Sequence, residues 1–86
     1  MATKHIDYEG FSTDIDTDVF DSVRFFEIAD QLEAKPALNI EIIKIGLGEK
    51  EYARFEKFFT KLDGRYKMSR VMNMVVKLFE EAGPKD

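Results

Sequence analysis

The chain has no cysteine, one histidine and two prolines among its 86 residues. Without cysteine there is neither a disulfide framework nor a thiolate zinc site. The one histidine, His5, lies near the N-terminus, which leaves a histidine-rich metal centre or a histidine-centred triad without material. Long apolar runs are missing too. Nothing approaches the roughly 20 residues of a membrane span, and the N-terminus lacks a signal-peptide pattern. There is no glycine-rich phosphate loop, because Gly46-Leu47-Gly48 lacks the further spacing and the lysine of a P-loop. Ser12, Ser22 and Ser69 have no histidine partner suggested by position. The expectation is a non-enzymatic binding protein with no cofactor and no metal.

What is present is 44% hydrophobic and 35% charged sequence, enough for one small domain and no second. A chain this short buries only about 60–65% of its unfolded surface, so its stability margin is thin. The net charge of −4 is unevenly spread. Residues 1–33 hold nine acids against Lys4 and Arg24, for −7; residues 34–86 hold eight acids against eleven bases, for +3. The only local basic cluster is Lys61, Arg65, Lys67 and Arg70, broken by Asp63. A duplex-binding domain normally carries a fuller basic stripe, so the balance argues against nucleic acid. The gradient suits head-to-tail association or a partner of mixed charge.

Patterning predicts an N-terminal hairpin over 4–16, with Ile6 and Tyr8 on one arm, Phe11, Thr13 and Ile15 on the other, and Glu9-Gly10 at the turn. Asp14, Asp16 and Asp18 open like a calcium loop. Val19 and Phe25 then stand where that loop needs glycine and a bidentate glutamate, so the acids are read as caps of the next helix. Helix follows from about Thr17 to Glu33, with an unusually wide apolar arc. Residues 36–47 are rich enough in isoleucine for a buried strand, but Pro36 at the start and Gly46-Leu47-Gly48 at the end favour helix. A third helix spans Glu49–Leu62; Tyr52, Phe55, Phe58, Phe59 and Leu62 fall within about 120° of arc, as on a core-facing helix. Asp63-Gly64 marks a turn, and a last helix runs from Met68 to Ala82, stopped by Gly83-Pro84. Its apolar arc covers about 200°. The fold class is therefore mainly α with some β: three or four helices and an N-terminal β-hairpin. Residues 1–16 form the arm, 17–83 the helical domain and 84–86 a tail.

Two wide apolar arcs on so small a domain leave surface for a partner. Residues toward the arc margins are the candidates: Phe25, Ile28, Leu32, Met74 and Leu78. Met68, Met72 and Val75 are expected in the core, and Met74 at the surface.

The order of features carries a resemblance. Tyr8-Glu9-Gly10-Phe11 leads into Asp16-Thr17-Asp18-Val19-Phe20 and an aromatic-rich helix. An apolar stretch then ends in Ile45-Gly46-Leu47-Gly48-Glu49, and an amphipathic helix ends in Leu62-Asp63-Gly64-Arg65 before the final helix. This layout, from Tyr8 to Ala82, resembles the small tail assembly chaperones of long-tailed bacteriophages and of prophages in Gram-positive bacteria. It departs from them where valine and proline would follow Asp-Gly-Arg; here stand Tyr66 and Lys67. The resemblance implies a cytoplasmic helper, made in the infected or lysogenic host and absent from the mature virion. It would coat the tape measure protein and help recruit tail tube subunits, the tube contact belonging to a frameshift-extended form. An 86-residue chain corresponds to the short form, and self-association is expected. The rival expectation is a small regulatory protein that binds nucleic acid through Lys61–Arg70.

Overall fold

The first strand, β1 (Thr3–Tyr8), turns back on itself at once to form β2 (Phe11–Asp16). The structure, a computed structural model, describes residues 3–82. The register pairs Tyr8 with Phe11 and Thr3 with Asp16, leaving a two-residue loop of Glu9 and Gly10. Both loop residues have positive φ, 49° and 91°, the combination whose twist matches that of the flanking strands. Alternation then sorts the side chains: Ile6, Phe11, Thr13 and Ile15 are buried, while His5, Asp7, Ser12 and Asp14 face outward. Thr13 is buried without penalty because its hydroxyl donates to Glu51 Oε1 at 2.7 Å.

The single helix expected over 17–33 is not continuous. Thr17–Asp21 forms a 3₁₀ turn, Ser22 is extended, and α1 covers only Val23–Ala29. Two short polar side chains cause the division. Asp16 accepts from the Asp18 amide at 3.0 Å, as expected of a cap, and Ser22 Oγ accepts from the Phe25 amide at 3.1 Å. Each offers the backbone a partner that competes with a continuous helical ladder. The break also serves packing. In one helix Phe20 and Phe25 would point about 140° apart; divided, both reach the core, with ring centroids 5.0 Å apart.

Residues 36–47 are helical. Pro36 opens a 3₁₀ turn, Pro36–Leu38, that runs into α2 (Asn39–Leu47). Asn39 Nδ2 donates to the Pro36 carbonyl at 2.7 Å and steadies the junction. α2 is the central element, packed against α1, α3, α4 and β2, and Ile42 and Ile43 are wholly buried. Its neighbours come close enough to require glycine at position 46. A Cβ there would stand 3.0 Å from Phe20 Cζ and 3.3 Å from Leu78 Cδ1.

Gly48 separates α2 from α3 (Glu49–Asp63), and Gly64 closes α3 in the left-handed conformation, its amide bonded to the Thr60 carbonyl at 2.9 Å. Phe55 and Phe59 project from α3 under the hairpin. Phe11 meets Phe55 edge-on at 5.4 Å and Phe58 at 5.7 Å. Leu62, expected on the core face, is exposed on the last turn of α3. α4 (Met68–Ala82) completes the core with Val71, Met74, Val75 and Leu78. The hairpin belongs to this same core through Ile6, Phe11 and Ile15, and Lys4 Nζ ties β1 to α4 by donating to the Glu81 carbonyl at 2.9 Å. Among the described residues the architecture is thus four α-helices and an N-terminal antiparallel hairpin. Gly83-Pro84 and the 84–86 tail lie outside the described residues.

Candidate interaction surface

The wide apolar arc of α4 divides into two halves of different fate. At about 100° per residue, Met74, Leu78, Val71 and Val75 occupy one half, and Met68, Phe79, Met72 and Val76 the other. The first half is buried against α2. The second faces outward, with Met72 45% and Val76 55% exposed, and Met68 and Phe79 also open to solvent. This reverses part of the expectation. Met74 and Leu78, proposed for the partner, are 0% exposed core residues, and Met68 and Met72, proposed for the core, are surface residues. Arc width could be read from the sequence, but the half that turns inward is set by where α2 sits. Val75 is buried, in accord with its expected place.

On α1 the correction has a different cause. Phe25 is buried, wedged edge-on between Phe20 and the Phe79 ring at 5.9 Å, and Ile28 and Leu32 are half-buried against the core. The exposed apolar residues are instead Val23, at 75%, and Phe26, at 68%. They rim a shallow depression lined also by Phe20, Asp21, Ser22 and Phe25. The helix break at Ser22 decides this: it rolls Phe25 inward and leaves Val23 and Phe26, its neighbours in sequence, outside. A serine followed three residues later by an amide that its hydroxyl caps was the available signal. Asp21 lines it, and the exposed charges of the chain segment 18–33 that carries it are mostly acidic, with Asp18, Asp21, Glu27, Asp30 and Glu33 against Arg24.

The polar face of the hairpin carries the chain's histidine. His5 Nδ1 lies 2.8 Å from Asp14 Oδ1, and Nε2 lies 3.2 Å from Asp7 Oδ1. Only the imidazolium donates from both nitrogens, so the pair of carboxylates raises the His5 pKa, chiefly through the Asp14 hydrogen bond. Ser12 does have a neighbour here, but its hydroxyl donates to Asp7 rather than to the imidazole. Asp7 is held below the ordinary carboxylate range, first by that hydroxyl. A carboxylate thus stands between hydroxyl and histidine, and the order needed to activate a serine is not assembled. No group of three or more potential ligands among the described residues is placed to hold a metal ion.

The basic segment at the α3–α4 junction is partly committed to structure. Arg70 donates to both Asp63 oxygens, at 2.8 and 3.0 Å, and its guanidinium lies 4.7 Å from the Phe59 ring centroid. This holds the Asp63 carboxyl below its usual range. Beside it, Tyr66 donates to the Tyr52 hydroxyl at 3.1 Å; burial, then that contact, pushes the Tyr66 pKa well above that of a free phenol. Lys61, Arg65 and Lys67 remain exposed.

No helix among the described residues is long and apolar enough to cross a membrane. The surface features that stand out are therefore two apolar faces, one on α1 with an acidic surround and one along α4. No protein-family model, curated protein or solved structure matches the chain.

Proposed function

We propose that the protein is a non-enzymatic tail assembly chaperone that binds a long helical client, the phage tape measure protein, and helps bring tail tube subunits to it. The observation that carries this reading is the exposed pair Val23 and Phe26, apolar side chains left outside a core that has room for Phe25 beside them. Large apolar groups held in solvent on a small domain mark contact with another protein. Their acidic surround favours a client helix with an apolar stripe and basic flanks. The reading rests otherwise on the resemblance of the sequence from Tyr8 to Ala82 to these chaperones. The working location under this reading is the cytoplasm of the bacterial host, with the tube contact made by an extended form.

Co-expression with a long helical tape measure protein tests the proposal. The intact chain is expected to keep that protein soluble and to co-purify with it, whereas Phe26→Asp, at an exposed site, keeps its fold and loses the client. A client equally insoluble with and without the chain would overturn the reading. The nucleic-acid alternative predicts instead a gel shift that weakens steeply with salt and with charge removal at Lys61, Arg65 and Lys67.

A further inference from the structure

The exposed face of α1 is not purely apolar. With Val23 at the origin of a wheel of about 100° per residue, Phe26 falls at about 300°, Glu27 at about 40° and Asp30 at about 340°. Asp30 keeps helical φ and ψ, −63° and −23°, and its amide bonds to the Phe26 carbonyl at 3.0 Å, so it holds that place on the face. These residues, all exposed, thus share an arc of about 100°, with a carboxylate on either side of Val23. Arg24 lies farther round, beyond Glu27 and about 160° from Phe26. Asp21 lines the depression that Val23 and Phe26 rim. Asp21, Glu27 and Asp30 make no ion pair among the described residues. Acids on the other helices do: Glu41 with Lys44, Glu51 with Arg54, Asp63 with Arg70, and Glu81 with Lys4 and Lys77.

We infer that Glu27 and Asp30 set the specificity of this face: it takes a partner helix whose apolar stripe is interrupted by lysine or arginine, and rejects an uninterrupted stripe. This deepens the reading of α1 as a protein contact and rests on it. A helix laid on Val23 and Phe26 covers Glu27 and Asp30 as well, because they occupy one arc. Covering an unpaired carboxylate strips part of its hydration, and an apolar neighbour returns nothing for it. A lysine or arginine in the contact returns a charge-assisted hydrogen bond. Glu27 and Asp30 stand three residues apart, so the matching bases belong about one helical turn apart on the partner. They belong inside the contact and not only at its margins. Attraction of the right stripe and rejection of the wrong one then come from the same two side chains. The carboxylates also account for how Val23 and Phe26, 75% and 68% exposed, stand in water without gathering apolar surfaces indiscriminately.

Synthetic amphipathic helices of about six turns test this, alike in their leucine stripe and carrying lysine, glutamine or glutamate where the stripe is interrupted. Titrated against the intact chain, the lysine helix should bind at least about 10-fold tighter than the glutamine helix, and the glutamate helix weakest. Glu27→Gln combined with Asp30→Asn, at exposed sites, should bring the lysine and glutamine helices within about 3-fold of each other, with an unchanged melting curve. Glu49→Gln combined with Glu56→Gln removes as much charge from exposed positions on α3 and should leave the lysine preference intact, which separates contact from general attraction. Glu27→Lys combined with Asp30→Lys should turn the preference to the glutamate helix, and Phe26→Asp should lose all of them. Lysine and glutamine helices bound equally by the parent would overturn the inference. So would a lysine preference that survives Glu27→Gln with Asp30→Asn, or one that falls as far in the α3 variant. In those cases, loss of binding in Phe26→Asp leaves the α1 contact standing. Binding indifferent to Phe26→Asp, or no binding of any helix, would overturn both.

Discussion

At the scale of single residues, the ionisable groups make a clear pH statement. His5 has a raised pKa, so its bonds to Asp14 and Asp7 stabilise the hairpin fully below its ordinary value near pH 6.5 and lose that contribution as pH rises through the higher folded value. Asp63 has a lowered pKa, so its pair with Arg70 contributes above the ordinary carboxylate value and is lost as pH falls through the folded one. Stability measured against pH should therefore decline on both sides of a plateau spanning about pH 5–6. Asp63→Asn should reduce the acid-side slope, and His5→Gln the slope above neutrality. An acid-side slope identical in Asp63→Asn and the parent would contradict the assignment. At Gly46, closeness to Phe20 and Leu78 dictates the residue. Gly46→Val should cost about 1–3 kcal/mol in chemical denaturation, through overpacking, while Phe55→Ala, vacating a wholly buried site, should cost about 3–5 kcal/mol. A Gly46→Val protein as stable as the parent would show that α2 can move away from its neighbours.

At the scale of elements, the sequence was legible where a pattern or its boundary residues select one structure. Period-two alternation around Glu9-Gly10 specified the hairpin, and Pro36 with Gly46-Leu47-Gly48 bounded the second helical segment. It was less legible where a local cap competes with helix propensity. Apolar residues continue past Ser22, which hid the division that Ser22 imposes. Replacing Ser22 by alanine removes the acceptor for the Phe25 amide and should cost about 1 kcal/mol. It should also raise the helical circular dichroism signal if continuity across residue 22 is restored; an unchanged stability would mean the kink is held by ring packing alone. The candidate surface suffered most from a loss of phase information. An arc of about 200° on α4 requires that some of it remain outside, but nothing within α4 says which half. α2 makes that choice by packing on α4, Gly46 lying against Leu78. Similarly, Leu62 shares the arc of Phe55 and Phe59 yet is exposed.

At the scale of the whole molecule, the hydrophobic content and the charge gradient acquire places. The acidic third of the sequence forms the hairpin and α1, so the segment carrying the α1 apolar face is itself acidic, while the basic segment lies at the start of α4. A client held at α1 with basic flanks should bind more weakly as salt rises, with a smaller effect than phosphate binding would show. Val23 and Phe26, exposed on one face, would give each copy an apolar contact with one long helix. The central claim is that the α1 face is a binding surface. Hydrogen exchange on the chain alone and on a complex purified with the proposed helical client addresses it most directly. Exchange across residues 22–30 should slow on complex formation, with α3 unchanged. Protection confined to α3, or a complex that leaves residues 22–30 exchanging as in the free chain, would contradict it.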